Sequence, residues 1–164
     1  MKNFIFASIL FALLLTVNAA PFQLNKRAII FGPCNHEPPV DSLEVKIGAD
    51  PPEFGKNESF DASGTLTKND ITKDKTIFQI QYEDSDGNLI AVPYVQNFAN
   101  SIKARTPFNV SASDVPTPKL PDSYLIAVLV GDPDASGGVI FACASAAVGG
   151  SSKKSKNFDL FKLI

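Results

Sequence analysis

The chain has 164 residues, which favours one domain, and 45% of them are hydrophobic, an ordinary share for a globular protein. Its net charge of −2, with basic residues scattered along the chain, leaves no footprint for nucleic-acid binding. There is no Trp, and 13 Phe outnumber 3 Tyr, so most aromatic surface lacks a polar handle.

Lys2 precedes an apolar run from Phe4 to Val17 that is too short to span a bilayer comfortably. Val17-Asn18-Ala19 fits the small-residue cleavage rule, so residues 1–19 read as a secretory signal peptide. Cutting after Ala19 is preferred over Ala20, because a bond followed by Pro21 is a poor substrate. An uncleaved membrane anchor is the alternative. The expected destination is the extracellular space or the lumen of the secretory or vacuolar pathway. Residues 20–27 end in the dibasic pair Lys26-Arg27 and read as a pro-segment or an irregular lead-in. The domain then covers 28–148.

Leu43 to Ile47 alternates apolar and charged side chains, the pattern of a half-buried strand, and Asp50-Pro51-Pro52-Glu53 breaks it. Phe60 to Leu66 alternates again. Thr76 to Glu83 puts Phe78, Ile80 and Tyr82 on one face and Ile77, Gln79 and Gln81 on the other. Asp84-Ser85-Asp86-Gly87-Asn88 is hairpin-turn chemistry. A return strand is expected over Leu89 to Val95, with Pro93 marking an edge or a bulge. Gln96 to Pro107 reads as irregular, Phe108 and Val110 as strand, and Asp114 to Pro121 as a proline-rich connection. Tyr124 to Val130 is apolar on both faces, so it needs cover on both sides. Turn formers at 131–138 join it to Val139 to Val148, making a central hairpin. No segment sustains a helical period. Seven or eight strands predict an all-β fold, an immunoglobulin-like antiparallel two-sheet sandwich.

Two cysteines in an exported chain are most simply one disulfide, Cys34 to Cys143, with a free thiol pair as the alternative. Such a bond is expected to pin the two β-layers together. The sequons at Asn57 and Asn109 mark candidate glycosylation sites. The tail, 149–164, is a Gly/Ser hinge, a Lys cluster and a short apolar end, too short for a lipid-anchor signal.

The chemistry for catalysis is thin. His36 is the single histidine, and its neighbour Cys34 serves as a nucleophile only when free of the disulfide. One His, one Glu and a Cys fall short of a zinc site, so no metal and no cofactor is expected. Asp84 with Asp86, and Asp132 with Asp134, lack the distal Glu of a calcium loop and read as turns. What remains is apolar surface on strands. It either fills a core or walls a cavity for an apolar ligand, and periodicity does not separate the two.

Several short motifs occur in a characteristic order. They are Phe31-Gly32-Pro33-Cys34, Leu43-Glu44-Val45, Asp50-Pro51-Pro52 with Gly55, Ser63-Gly64-Thr65-Leu66, and Asp70-Ile71-Thr72. Pro93-Tyr94-Val95-Gln96-Asn97-Phe98, Leu120-Pro121-Asp122-Ser123-Tyr124, Val130-Gly131-Asp132-Pro133 and Ala142-Cys143-Ala144 follow. In order and spacing, over Phe31 to Val148, the chain resembles the secreted fungal phosphatidylglycerol/phosphatidylinositol transfer proteins. These belong to the MD-2-related lipid-recognition (ML) superfamily, which also holds the Niemann-Pick type C2 sterol carrier.

The resemblance implies an internal lipid cavity between the sheets and transfer of single phospholipids or sterols without covalent chemistry. It supports the Cys34 to Cys143 bond. The expected protein is a monomer that meets membranes transiently. By position, the cavity walls would be Phe60, Leu66, Phe78, Ile80, Ile126, Val128 and Phe141. The mouth would be Tyr94, Val95, Phe98, Phe108 and Val110. The family's second cysteine pair is missing, with Ala99 and Thr106 in its place, so the loop between them is expected to be more mobile. The competing expectation is a secreted sandwich with a filled core that binds a protein partner, as an effector or adhesion factor.

Overall fold

Alternating side chains punctuated by Gly, Pro and Asp build strands throughout the computed structural model, which describes residues 28–134 and 138–149. The expected signal peptide at 1–19, the segment at 20–27, the tail beyond Gly149 and the middle of the turn before Val139 lie outside the described residues. Among the described residues there is no helix. The strands are β1 (Gly32–Pro33), β2 (Asp41–Ser42), β3 (Glu44–Ile47), β4 (Asn57–Thr65), β5 (Ile77–Asp84), β6 (Tyr94–Asn97), β7 (Pro107–Pro116), β8 (Tyr124–Asp132) and β9 (Val139–Val148).

They form two sheets. The larger runs β1-β9-β8-β5-β6, with β2 also on β9, and the smaller runs β3-β4-β7. All ladders are antiparallel except the two-residue parallel contact of β2 with β9. This is the immunoglobulin-like order: the first, second and fifth long strands face a sheet made from the others.

The β8–β9 hairpin is the centre of the large sheet, and both its faces are covered. Ile126, Val128 and Val130 face the small sheet in the main core, while Ala127 and Leu129 belong to a second cluster with Ile77 and Cys143, on which Cys34, Val40 and Leu125 pack. Cys34 and Cys143 are bonded, with Cα atoms 5.7 Å apart, which fits an oxidising compartment. The bond does not pin the layers together as expected. Cys143 lies on the outer side of the large sheet, so the bridge ties the N-terminal segment to β9 within that one sheet.

Several boundaries differ from the sequence reading. The return strand expected over Leu89 to Val95 reduces to one bridge, Glu83 with Leu89, and β6 starts at Tyr94. Pro93 has no N–H to give to a ladder, so pairing resumes only after it. β7 continues to Pro116 instead of ending near Asp114, because a register shift against β4 between Glu58 and Phe60 absorbs the extra residues. The two-residue strands β1 and β2 were too short to carry a period. Asn57 and Asn109 are both exposed, at the start of β4 and on β7.

Candidate functional site

Every residue expected to wall the inter-sheet space falls in one cluster. Phe60 and Leu66 come from the small-sheet side, and Phe78, Ile80, Ile126, Val128 and Phe141 from the large sheet. Phe60, Phe78, Ile126 and Val128 are 0% exposed. Surface touching an internal space wide enough for water would count as exposure, so none of these four side chains borders such a space. Phe141 joins the same cluster as its neighbour Ala142, next to the register shift between Val130 and Gly131.

The expected mouth residues divide. Phe98 and Phe108 are buried, and Tyr94 and Val110 pack partly buried on the cluster. Val95 is 39% exposed and does not join them. Adjacent residues of a strand point to opposite faces, so Tyr94 and Val95 were never able to line the same space. The others define a seam where the edge strands β6 and β7 approach. At one end the Tyr94 hydroxyl sits 2.9 Å from Asp114 Oδ1 and 3.1 Å from the Gln96 amide. At the other, Phe98 and Phe108 meet edge-to-face with centroids 5.9 Å apart. Burial first, then Asp114, push the Tyr94 phenol above its ordinary pKa.

Segment 98–106, expected to be mobile for want of its second staple, is tied along its length to residues 66–76. Phe98 N–H donates to Thr76 O, Asp74 N–H to Phe98 O, and Arg105 N–H to Leu66 O. Ile71 and Ile102 exchange backbone bonds. The Asp70 carboxylate accepts Ala104 N–H at 2.8 Å and pairs with Lys103 at 2.6 Å. Lys103 first, then the Ala104 N–H, hold the Asp70 carboxyl below its usual range. Ala99 and Thr106 are exposed.

The opposite end of the core is polar, which the sequence reading missed. Tyr82 follows Phe78 and Ile80 inward on β5, yet its hydroxyl is buried without a hydrogen-bond partner. The same holds for the Thr117 hydroxyl, just beyond β7. Glu58, 3% exposed, has its Oε1 fixed by the N–H groups of Ala49 and Ser59, each at 2.8 Å. A Cβ at Gly48 beside it would lie 2.1 Å from Ser59 Oγ and 3.0 Å from Glu58 Oε1, so the Ser59 hydroxyl would have to swing aside. Burial pushes the Tyr82 phenol up to about 12, with smaller contributions from Thr117, which eases ionisation, and from Glu58 and Tyr124, which oppose it.

The sign of the linkage follows. Tyr82 stays protonated longer in the folded chain than in the unfolded one, so its contribution is complete below pH 10 and is lost as pH rises towards 12. Tyr82→Phe is expected to blunt the alkaline loss of stability. At neutral pH it should leave stability unchanged or raise it by about 1 kcal/mol, because it removes an unpaired buried hydroxyl. Urea unfolding at pH 7 and pH 11 checks both, and a large neutral-pH destabilisation would contradict the unpaired state.

Elsewhere the polar groups are structural. On the outer face of β5, Gln79 Nε2 donates to Gln81 Oε1 at 2.6 Å and Gln81 Nε2 to Glu83 Oε1 at 2.5 Å. His36 Nδ1 lies 2.8 Å from Pro38 O, and the disulfide takes Cys34 out of any nucleophilic pair with it. Asp84 Oδ1 accepts the N–H groups of Asp86 and Asn88, as turn chemistry requires, and these bonds, Asn88 first, lower its pKa. Asp132 accepts from Thr76 Oγ1 at 2.6 Å and pairs with Lys75 at 2.5 Å. Among the described residues no group of three or more His, Cys, Asp and Glu side chains is placed to hold a metal ion.

No protein-family model matches this chain, and a search of curated proteins returns no match.

Proposed function

We propose that this is a secreted, non-catalytic lipid-binding and transfer protein of the ML type. It takes single phospholipids, phosphatidylglycerol or phosphatidylinositol, or sterols between its two sheets and moves them between membranes, acting as a monomer in transient contact with membrane surfaces. One observation carries this reading: the disulfide lies within one sheet, so none of its covalent strength resists parting the layers. Along the seam they are clasped by the Tyr94–Asp114 hydrogen bond and the Phe98–Phe108 pair. Each such contact contributes about 1 kcal/mol net. Burying a sixteen-carbon chain gains on the order of 12 kcal/mol gross, at about 0.8 kcal/mol per CH₂. A lipid entering between Phe60 and Ile126 replaces core contacts with its own. The order of motifs that resembles the transfer proteins supports the same reading.

The test is lipid analysis of protein purified from the medium of secreting cells, together with transfer of labelled phospholipid between vesicles. Co-purifying lipid and protein-dependent transfer are expected. Empty protein that moves neither phospholipid nor sterol overturns the reading.

A second reading rests on the complete burial of Phe60, Phe78, Ile126 and Val128. In it the core is permanently solid, and the domain is a secreted module that recognises a protein partner. Absence of lipid, together with a wild-type melting temperature that no lipid shifts, would favour it.

A further inference from the structure

The interior of the sandwich is chemically asymmetric. At the end where β6 passes into segment 98–106, Leu66, Ile71, Phe98 and Phe108 present only hydrocarbon. At the other end two hydroxyls from opposite sheets meet the same space, Tyr82 on β5 and Thr117 after β7. Thr117 lies close enough to hydrogen-bond to the Tyr82 phenol, though not in good geometry, and neither hydroxyl has any other partner. Thr117 is 4% exposed and its backbone is fixed by bonds to Gly55 and Lys56, so it does not swing out to water. Tyr82 is 4% exposed, and its backbone is held in β5 between β8 and the Ile90 N–H. Unpaired buried hydroxyls are costly to a fold, and an arriving group that satisfies both recovers that cost.

We propose that the Tyr82 and Thr117 hydroxyls form a polar anchor for the uncharged hydroxyl end of a long-chain lipid, which lies with its hydrocarbon end towards Phe98 and Phe108. This rests on the lipid-carrier reading and narrows its ligand class. A hydroxyl matches the pair because it both donates and accepts, as Tyr and Thr hydroxyls do. Glu58 decides against an acid. Its carboxylate lies close enough to oppose ionisation of Tyr82, and it opposes an anionic ligand end in the same way. A methyl ether accepts but does not donate, so it satisfies the pair only in part.

The experiment displaces a fluorescent fatty-acid probe from the full secreted chain with hexadecan-1-ol, its methyl ether, and palmitate. Wild type is expected to bind the alcohol about tenfold more tightly than the ether and more tightly still than palmitate, since leaving a buried partner unpaired costs on that order. In Tyr82→Phe with Thr117→Val the alcohol and the ether should bind within about twofold of each other. Thr117→Ser, which keeps a hydroxyl, should retain the preference, and it serves if the double variant fails to fold. Equal binding of all three probes by wild type overturns the anchor and leaves the carrier reading standing, as does a preference that survives the double substitution. Binding of none of them overturns both.

Discussion

Replacing Cys34 and Cys143 together by Ala is expected to remove about 3–5 kcal/mol of stability. The residues are 109 apart in sequence, so the bond closes a loop that spans nearly the whole domain. Chain-entropy reasoning assigns about 4.7 kcal/mol to a loop of roughly that size, and native disulfides of small secreted domains cost about 2–5 kcal/mol to remove. The bridge also pins the segment that covers the free edge of β9. Gly32 and Pro33 pair with Ser145 and Ala144, and Asp41 and Ser42 with Ala142 and Cys143, so losing the bond loosens the strip that caps this edge. The measurement is the urea midpoint of the double variant against wild type, repeated on wild type under reducing conditions. The two losses should agree. A loss under about 1 kcal/mol would mean that the N-terminal segment holds β9 without its sulfur bridge. Because the bond lies within one sheet, any lipid uptake should survive in whatever fraction of the variant remains folded.

The sheet faces were legible where alternation was long and undisturbed. Phe78, Ile80 and Tyr82 on β5 were grouped on one face by period alone, and all three fall in the main core, whereas β8, apolar on both faces, gave no such signal. Alternation says which way a side chain points, not what meets it there. Tyr82 was therefore seen as one more inward aromatic. Its unpaired hydroxyl depends on Thr117, 35 positions further on and across the sandwich. The same limit explains Val95. Its place in the Pro-Tyr-Val motif made it a mouth residue, but its strand position puts it on the outer face. Gln79 and Gln81 were placed on the face opposite Phe78 and Ile80, but alternation did not show that both are buried there and joined side chain to side chain. The disulfide pairing was readable from a count of two, whereas its location on one sheet required the topology. The anchors of the loop without its second cysteine pair were invisible for a related reason, since they are backbone bonds to residues 66–76 that leave no mark in composition.

Phe60→Ala separates the two readings of the core with the largest single-residue effect. Phe60 is 0% exposed, sits opposite Ile47 on β3 and Ala112 on β7, and meets Phe31 edge-to-face at 6.5 Å. Truncating a buried Phe costs about 3–5 kcal/mol, from lost transfer energy and from the space left behind. That is a large part of the roughly 5–15 kcal/mol that holds a domain of this kind folded, so the variant should melt far below wild type. In a solid core the space stays empty, and no lipid repairs it. In a carrier, Phe60 is a wall, and a lipid chain fills the gap its ring leaves. Phosphatidylglycerol vesicles supplying lipid at a hundred times its dissociation constant would then return about 2.7 kcal/mol by mass action, raising the melting temperature of the variant at least as much as that of wild type. Melting curves of both proteins with and without vesicles decide the matter. A wild-type midpoint that does not move with lipid, beside a variant that stays equally depressed, would show that the sheets never part.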